Sequence, residues 1–406
     1  MTDAQRFLGL LILLTCVAIV LRLVTRRAPL PYPVMLAAAG ILVGLLPGLA
    51  GHRISSDLIL LAFVPGLVFE ATITLDLAEL RRRLWPVGLL ATAGVALTVV
   101  CIGALAHLTL RLTWAEGMLL GAILAPTDPI AVVGLVRRLR APSGLATMLE
   151  GESLFNDGTG VAVFAAVLAS ILGGSPSVGD TVGRFWLITA GGVAVGVAVG
   201  LAGALLLRFS SEARLDILVT LAIAYGSYLG ADLIHASGIV AVVTAGVTLT
   251  SRVGRRLGPR HSTELLDFWG LLAFVLNAIL FLVVGTALPT VRVVHTAALV
   301  GGAYLIMLAA RAVTAYGLLA LLDVRGRRIP WRWRHLIFWG GIRGALSVAL
   351  ALSIASGHQV SPTVSVVAYG VVVLSLLIQG GSIRPVAQYL RLTAAGGGSK
   401  PDQAPV

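Results

Sequence analysis

The chain has 406 residues, of which 58% are hydrophobic and 12% charged; soluble domains carry about a quarter charged residues, so a soluble globular protein is excluded before any motif is read. The formal charge of +12 would suit nucleic acid if the basic side chains shared one face, but they stand in short clusters between long apolar runs, which is a topology signal. Cys16 and Cys101 both lie inside apolar runs, so neither a disulfide framework nor a metal site is expected from them.

A helix needs about 20 apolar residues to cross the hydrocarbon core, and with that ruler about thirteen spans are predicted. The first, 7–24, carries its arginines (Arg22, Arg26, Arg27) after the apolar run, unlike a secretory leader. Spans 30–49, 57–78 and 85–108 follow, with Glu70 inside the third. The fifth, 113–136, contains Ala125-Pro126-Thr127-Asp128-Pro129-Ile130. Two prolines so close remove backbone donors and clash with the preceding turn, so the helix is expected to open there. The sixth, 150–173, begins Glu150-Gly151-Glu152-Ser153-Leu154-Phe155-Asn156-Asp157-Gly158-Thr159-Gly160. Glu152 with Asn156, and Ser153 with Asp157, stand four apart and share one stripe, while Gly158 and Gly160 admit a neighbouring backbone.

Spans 183–207, 215–233, 236–251, 265–289 and 294–321 come next; Arg311 in the last is expected to pair across helices with a partner the sequence does not identify. The twelfth, 335–356, contains Trp339-Gly340-Gly341-Ile342-Arg343-Gly344, whose glycines weaken the helix at the place matching the break in span five. The thirteenth is 361–390, with Arg384 near its end, and the Gly- and Pro-rich tail 393–406 is expected to be disordered and cytoplasmic.

Cytoplasmic loops should hold the excess of arginine. With the N-terminus outside and the C-terminus inside, Arg81 to Arg83, Arg137, Arg138, Arg140, Arg252, Arg255, Arg256, Arg325, Arg327 and Arg328 fall on the cytoplasmic side. Only Arg6, Arg53, Arg111, Arg184 and Arg292 fall outside. The spans then parse as residues 1–174 (spans one to six), a linker span within 183–208, and 213–392 (spans eight to thirteen), the two halves being oppositely oriented. Inverted repeats of this kind belong to secondary transporters, whose sites lie near the midplane at broken helices.

Charged groups within spans are costly, and each is a functional hypothesis: Glu70, Asp128, Glu152, Asp157 and Arg343. At 1.5 Å rise per residue, Glu70, Thr127, Asp157 and Arg343 each lie roughly 10 to 14 Å from the cytoplasmic ends of their spans. Asp128 and Arg343 are suited to offset the dipoles of opened half-helices. The stripe of span six with Thr127 offers a carboxylate, hydroxyls and freed carbonyls to a small hard cation. The competing structural reading is a proline kink with Asp128 as a helix cap and a polar stripe that only joins helices. An intramembrane hydrolase using Asp128, Asp157 or Ser153 lacks the Gly-x-Gly-Asp or Gly-x-Ser-Gly setting, and no histidine lies at the depth of Asp157. A single titratable carboxylate between broken helices favours a gated exchanger over an open channel.

Ala125-Pro126-Thr127-Asp128-Pro129, Phe155-Asn156-Asp157-Gly158-Thr159-Gly160 and Trp339-Gly340-Gly341-Ile342-Arg343-Gly344-Ala345-Leu346-Ser347 resemble the signatures of sodium/proton exchangers of the NhaP type, as do the stretches 268–288 and 379–385. The resemblance implies an all-α antiporter fold in which the two discontinuous helices cross, and a homodimer in the inner membrane working by alternating access in pH homeostasis. It implies that Asp157 binds cation or proton, with Thr127 and Ser153 as cation ligands, Asn156 organising the site and Glu70 helping to complete it. Glu152 would pair with Arg343, and Arg384 would have a structural or dipole-balancing role. Electrogenic relatives carry two adjacent aspartates where this chain has Asn156 before Asp157, so electroneutral exchange of one cation for one proton is expected. Sodium is the expected cation, with lithium or potassium open; no cofactor is expected, and the partners are the bilayer, a second copy, and the cargo ions.

Overall fold

In lipid, the backbone can be satisfied only in helices or closed barrels. In the computed structural model, every element among the described residues is a helix. The structure describes residues 16–21, 23, 32–44, 59–139, 141–173, 177–210, 212–253, 259–286, 296–324, 328–355 and 362–392. The expected tail 393–406 and most of the first span lie outside them.

Residues 16–21 are helical, in the place of span one. The chain then runs through α1 (Tyr32–Gly44), α2 (Ile59–Thr74), a short α3 (Leu77–Arg82), α4 (Leu84–Leu110), α5 (Trp114–Leu124), α6 (Ile130–Arg138) and α7 (Ser143–Leu172). It continues with α8 (Val178–Leu206), α9 (Ala213–Asp232), α10 (Gly238–Val253), α11 (Pro259–Thr286), α12 (Ala297–Asp323), α13 (Trp331–Trp339), α14 (Ala345–Ala355) and α15 (Pro362–Tyr389). Helices α4, α7, α8, α9, α12 and α15, with Thr263–Val283 of α11, are each long and apolar enough to cross a membrane, and shorter apolar helices fill the remaining places. The protein is therefore a multi-pass membrane protein, and each expected span is met by helix. The fifth and twelfth are each met by two half-helices, α5 with α6 and α13 with α14. The sixth begins at Ser143 instead of near 150, because nothing after Pro142 interrupts it.

Side chains set several boundaries. Thr113 and Glu116 form a reciprocal capping box at the start of α5, satisfying donors that a helix start leaves open. Asp76 and Ser177 cap α3 and α8 by accepting from amides of the first turn. Wider π turns occur at Ile59–Phe63 in α2, Leu90–Gly94 in α4, Val313–Leu318 in α12 and Ser375–Gly380 in α15. Such turns disturb the regular ladder, and half-buried hydroxyls meet two of them: Tyr225 donates to the Ala62 carbonyl at 2.9 Å and Thr159 to the Ala91 carbonyl at 2.5 Å. The π turns of α4 and α12 pack against each other.

Helix α8 keeps Trp186, Leu187, Leu201 and Leu205 exposed on its outer side and turns glycines toward α10. A Cβ at Gly196 would lie 2.4 Å from the Ala241 carbonyl oxygen, and one at Gly200 2.8 Å from that of Ala245. Backbone meets backbone along this seam, as at other small-residue contacts between membrane helices. Gly196→Leu is therefore expected to push α8 off α10 and destabilise the fold by about 2 kcal/mol or more, read as a lower melting temperature in detergent; an unchanged melt would contradict the seam.

Candidate ion site at two broken helices

Residues 125–129 and 340–344 are the gaps between half-helices, and backbone bonds them directly: the Asp128 amide donates to the Ile342 carbonyl at 2.7 Å. Around this contact the freed groups of each break are met by side chains from the other elements. Arg343 Nη1 donates to the carbonyls of Ala125 and Pro126 at 2.8 and 3.0 Å, placing a cation at the C-terminal end of α5, where the helix dipole is negative. Asp128 Oδ1 accepts from the Ile130 amide at 3.0 Å and so satisfies the first amide of α6. A Cβ on Gly344 would lie 2.2 Å from Asp128 Oδ2; the carboxylate thus rests against the entry of α14 as well. Only glycine admits that approach.

The second break is tied to the π turn of α15. The Arg343 amide donates to Ser375 Oγ at 3.0 Å, Ser375 donates to Gln379 Oε1 at 2.8 Å, and Gln379 Nε2 donates to the Trp339 carbonyl at 2.9 Å. Each polar group in this chain is satisfied by the next, as burial demands.

Helix α7 supplies the other wall. Asn156 uses both amide atoms on Thr127: Oδ1 accepts from its backbone N–H at 3.2 Å and Nδ2 donates to Oγ1 at 2.7 Å. Thr127 Oγ1 and Ser153 Oγ share a hydrogen bond at 2.9 Å. All three side chains are buried, so a fixed cluster of oxygens stands where the first break meets α7. One helical turn along, Asp157 faces a cavity of about 380 Å³, lined also by Glu70, Thr127, Asp128, Ser153 and Ser347. No hydrogen bond holds the Asp157 carboxylate among the described residues. Toward the loop joining α6 to α7 the cavity passes Arg137 and Glu150, which form an ion pair at 2.5 Å with the Arg137 side chain 58% exposed; this is its mouth. A site in which the Asp157 and Glu70 carboxylates are both free of hydrogen bonds among the described residues, with neutral oxygens beside Asp157 and an open path, can take up a small cation or a proton.

One expected pairing is corrected. Glu152, 2% exposed, does not spend its oxygens on Arg343: Arg311 of α12 grips both of them, Nη1 on Oε1 and Nη2 on Oε2 at 3.1 Å, and Nη2 also donates to the Ile337 carbonyl at 2.8 Å. A planar guanidinium fork fits a carboxylate in this two-point manner. Arg343 is occupied by the carbonyls of the first break and by Met307 Sδ at 3.2 Å. The partner that the sequence left open for Arg311 is thus Glu152. Arg384 is exposed on α15 and does not line the cavity, whereas the groups freed at the breaks are met by Arg343, Asp128 and Gln379. Ser375, Gln379, Ser347 and Asn277 were not singled out from the sequence. A polar residue within an apolar span was their signal.

A family model described as sodium/hydrogen exchanger, transmembrane, matches residues 11–389. The chain belongs to the sodium/hydrogen exchanger family. Within it, this member is 38% identical to the Na(+)/H(+) antiporter NhaP of Pseudomonas aeruginosa over 348 residues, covering 82% of this chain and 81% of that one. It is 33% identical to the Na(+)/H(+) antiporter ApNhaP of Aphanothece halophytica over 367 residues, covering 89% of this chain and 70% of the relative. The fold is that of the sodium proton antiporter MjNhaP1 of Methanocaldococcus jannaschii, with a TM-score of 0.80 at 19% identity over 96% of this chain and 99% of the other.

Proposed function

We propose that this exchanger-family chain is a secondary antiporter that carries a monovalent cation, sodium first, against protons, with Asp157 as the carboxylate both ions share. The observation that carries this reading is the Asp157 side chain itself: it faces the cavity beside the Thr127–Ser153–Asn156 cluster and no hydrogen bond engages it. A carboxylate that holds either a cation or a proton couples the two flows by competition, provided that only an occupied site crosses. With Thr127 Oγ1 donating to Ser153 Oγ, each hydroxyl keeps a lone pair for a cation while Asn156 fixes Thr127. Glu70 and Asp128 add further carboxylates at the cavity wall, Asp128 with Oδ1 already accepting from the Ile130 amide.

Membership in the family, and the names of the relatives as Na(+)/H(+) antiporters, support sodium as the cation. Alternating access is supported by the pattern of breaks and π turns: α4 and its broken follower, α5 with α6, have counterparts seven spans later in α12 and in α13 with α14. On this reading 1–174 and 213–392 are the inverted repeats, and the linker span in 183–208 is α8. The arginine distribution supports an inner-membrane protein with the N-terminus outside, so the mouth at Arg137 and Glu150 opens to the cytoplasm. The exposed apolar side of α8 supports a lipid-facing or dimeric surface.

Both amide atoms of Asn156 are engaged and neither titrates, which supports electroneutral exchange of one cation for one proton. Reconstituted protein in acid-loaded vesicles with a pH dye should respond to sodium, and a potential-sensitive dye in the same vesicles should stay flat. A response to potassium alone would reassign the cation, and a strong potential signal would refute the stoichiometry.

A further inference from the structure

Two polar groups in the cavity wall have no part in the network of the breaks. Asn277 of α11 and Ser347 of α14 both line the cavity. Asn277 Oδ1 and Ser347 Oγ are buried and make no hydrogen bond, and Ser347 is only 1% exposed. Helix α11 faces the cavity with Gly270, Ala273, Phe274, Asn277 and Leu280, a stripe at three- and four-residue spacing in which Asn277 alone is polar. Ser347 stands one turn beyond Gly344, the residue against which the Asp128 carboxylate rests. Buried oxygens without partners are disfavoured in a folded protein, and two of them on one cavity wall point to a ligand that satisfies them.

We infer that Asn277 and Ser347 are further oxygen ligands of the transported cation, forming a second station on the α11–α14 wall through which the ion passes to or from Asp157. This rests on the exchanger reading above. A hard cation gives up its hydration shell only against a set of replacement oxygens, and Asp157, Thr127 and Ser153 offer a small set. Neutral amide and hydroxyl oxygens bind a cation without competing for the proton. Their loss should therefore weaken the cation and leave turnover at saturating cation unchanged.

The test is the sodium dependence of exchange in vesicles for wild type, Ser347→Ala, Asn277→Leu and Asp157→Ala, each with a melting curve in detergent. Ser347→Ala removes an atom that nothing in the protein holds, so a merely structural serine predicts a fold at least as stable and an unaltered KM. The ligand role predicts that KM for sodium rises about tenfold, the effect of losing about 1.4 kcal/mol of binding, with unchanged maximal rate and unchanged melting. The result that overturns the inference is a wild-type KM for sodium in both Ser347→Ala and Asn277→Leu. If the wild type itself shows no sodium-dependent exchange, or Asp157→Ala retains it, the exchanger reading fails first and this inference with it.

Discussion

Asp157→Asn is expected to reduce sodium-driven proton movement in vesicles to the level of protein-free controls, while the protein still folds. The substitution keeps the shape of the side chain and removes only its ability to ionise. Because no hydrogen bond among the described residues holds the Asp157 carboxylate, little structure depends on it, and the melting temperature should stay within a few degrees of wild type. Substitution of neighbouring cavity residues should be graded by contrast. Thr127→Val removes an oxygen from the cluster and also leaves Asn156 Nδ2 without its acceptor, so it should impair both cation affinity and stability. Residual exchange in Asp157→Asn would move the shared site to Asp128 or Glu70.

The second large effect belongs to the Glu152–Arg311 pair. Both side chains are buried, at 2% and 5% exposure, and each neutralises the other across α7 and α12. Removing one partner leaves a charge without its counterion in a dry interior, a loss of about 3–5 kcal/mol in comparable buried pairs. Glu152→Gln and Arg311→Met should therefore each lower the melting temperature sharply and reduce the yield of folded protein. Replacing both in one protein should recover much of the loss, since the orphaned charge disappears. A double-mutant cycle on melting in detergent measures this directly. Additive losses would mean that the two groups act independently. Removing Arg343 tests a different bond, because its Nη1 satisfies the carbonyls of Ala125 and Pro126; Arg343→Met should loosen the first break even with the Glu152–Arg311 pair intact.

Much of this architecture was legible in the chain itself. The span pattern followed from apolar length and arginine placement, and both breaks followed from local backbone chemistry: prolines at 126 and 129, glycines at 340, 341 and 344. Depth along the spans grouped Glu70, Thr127, Asp157 and Arg343; the first three line one cavity, while Arg343 is turned to the carbonyls of Ala125 and Pro126. Depth is nevertheless only one coordinate. Glu152 and Arg343 stand on the right helices to meet, but the rotation of each helix decides which arginine reaches the carboxylate, and Arg311 arrives from α12 with both nitrogens aligned. A helix start is similarly invisible where polar residues remain compatible with helix, as at Ser143. The π turns left no periodic signature, and with them the roles of Ser375 and Gln379 were hidden, because their partners are backbone groups set free only once the second helix has opened.

The central claim is that sodium and hydrogen ions exclude each other at one carboxylate. The direct measurement is proton release on sodium binding by the purified protein in weakly buffered detergent solution, with Asp157→Asn alongside. Cation binding to a protonated ligand must expel the proton, so about one proton per sodium should appear in the wild type. None should appear in the variant. Sodium binding without proton release, or equal release from Asp157→Asn, would contradict the account.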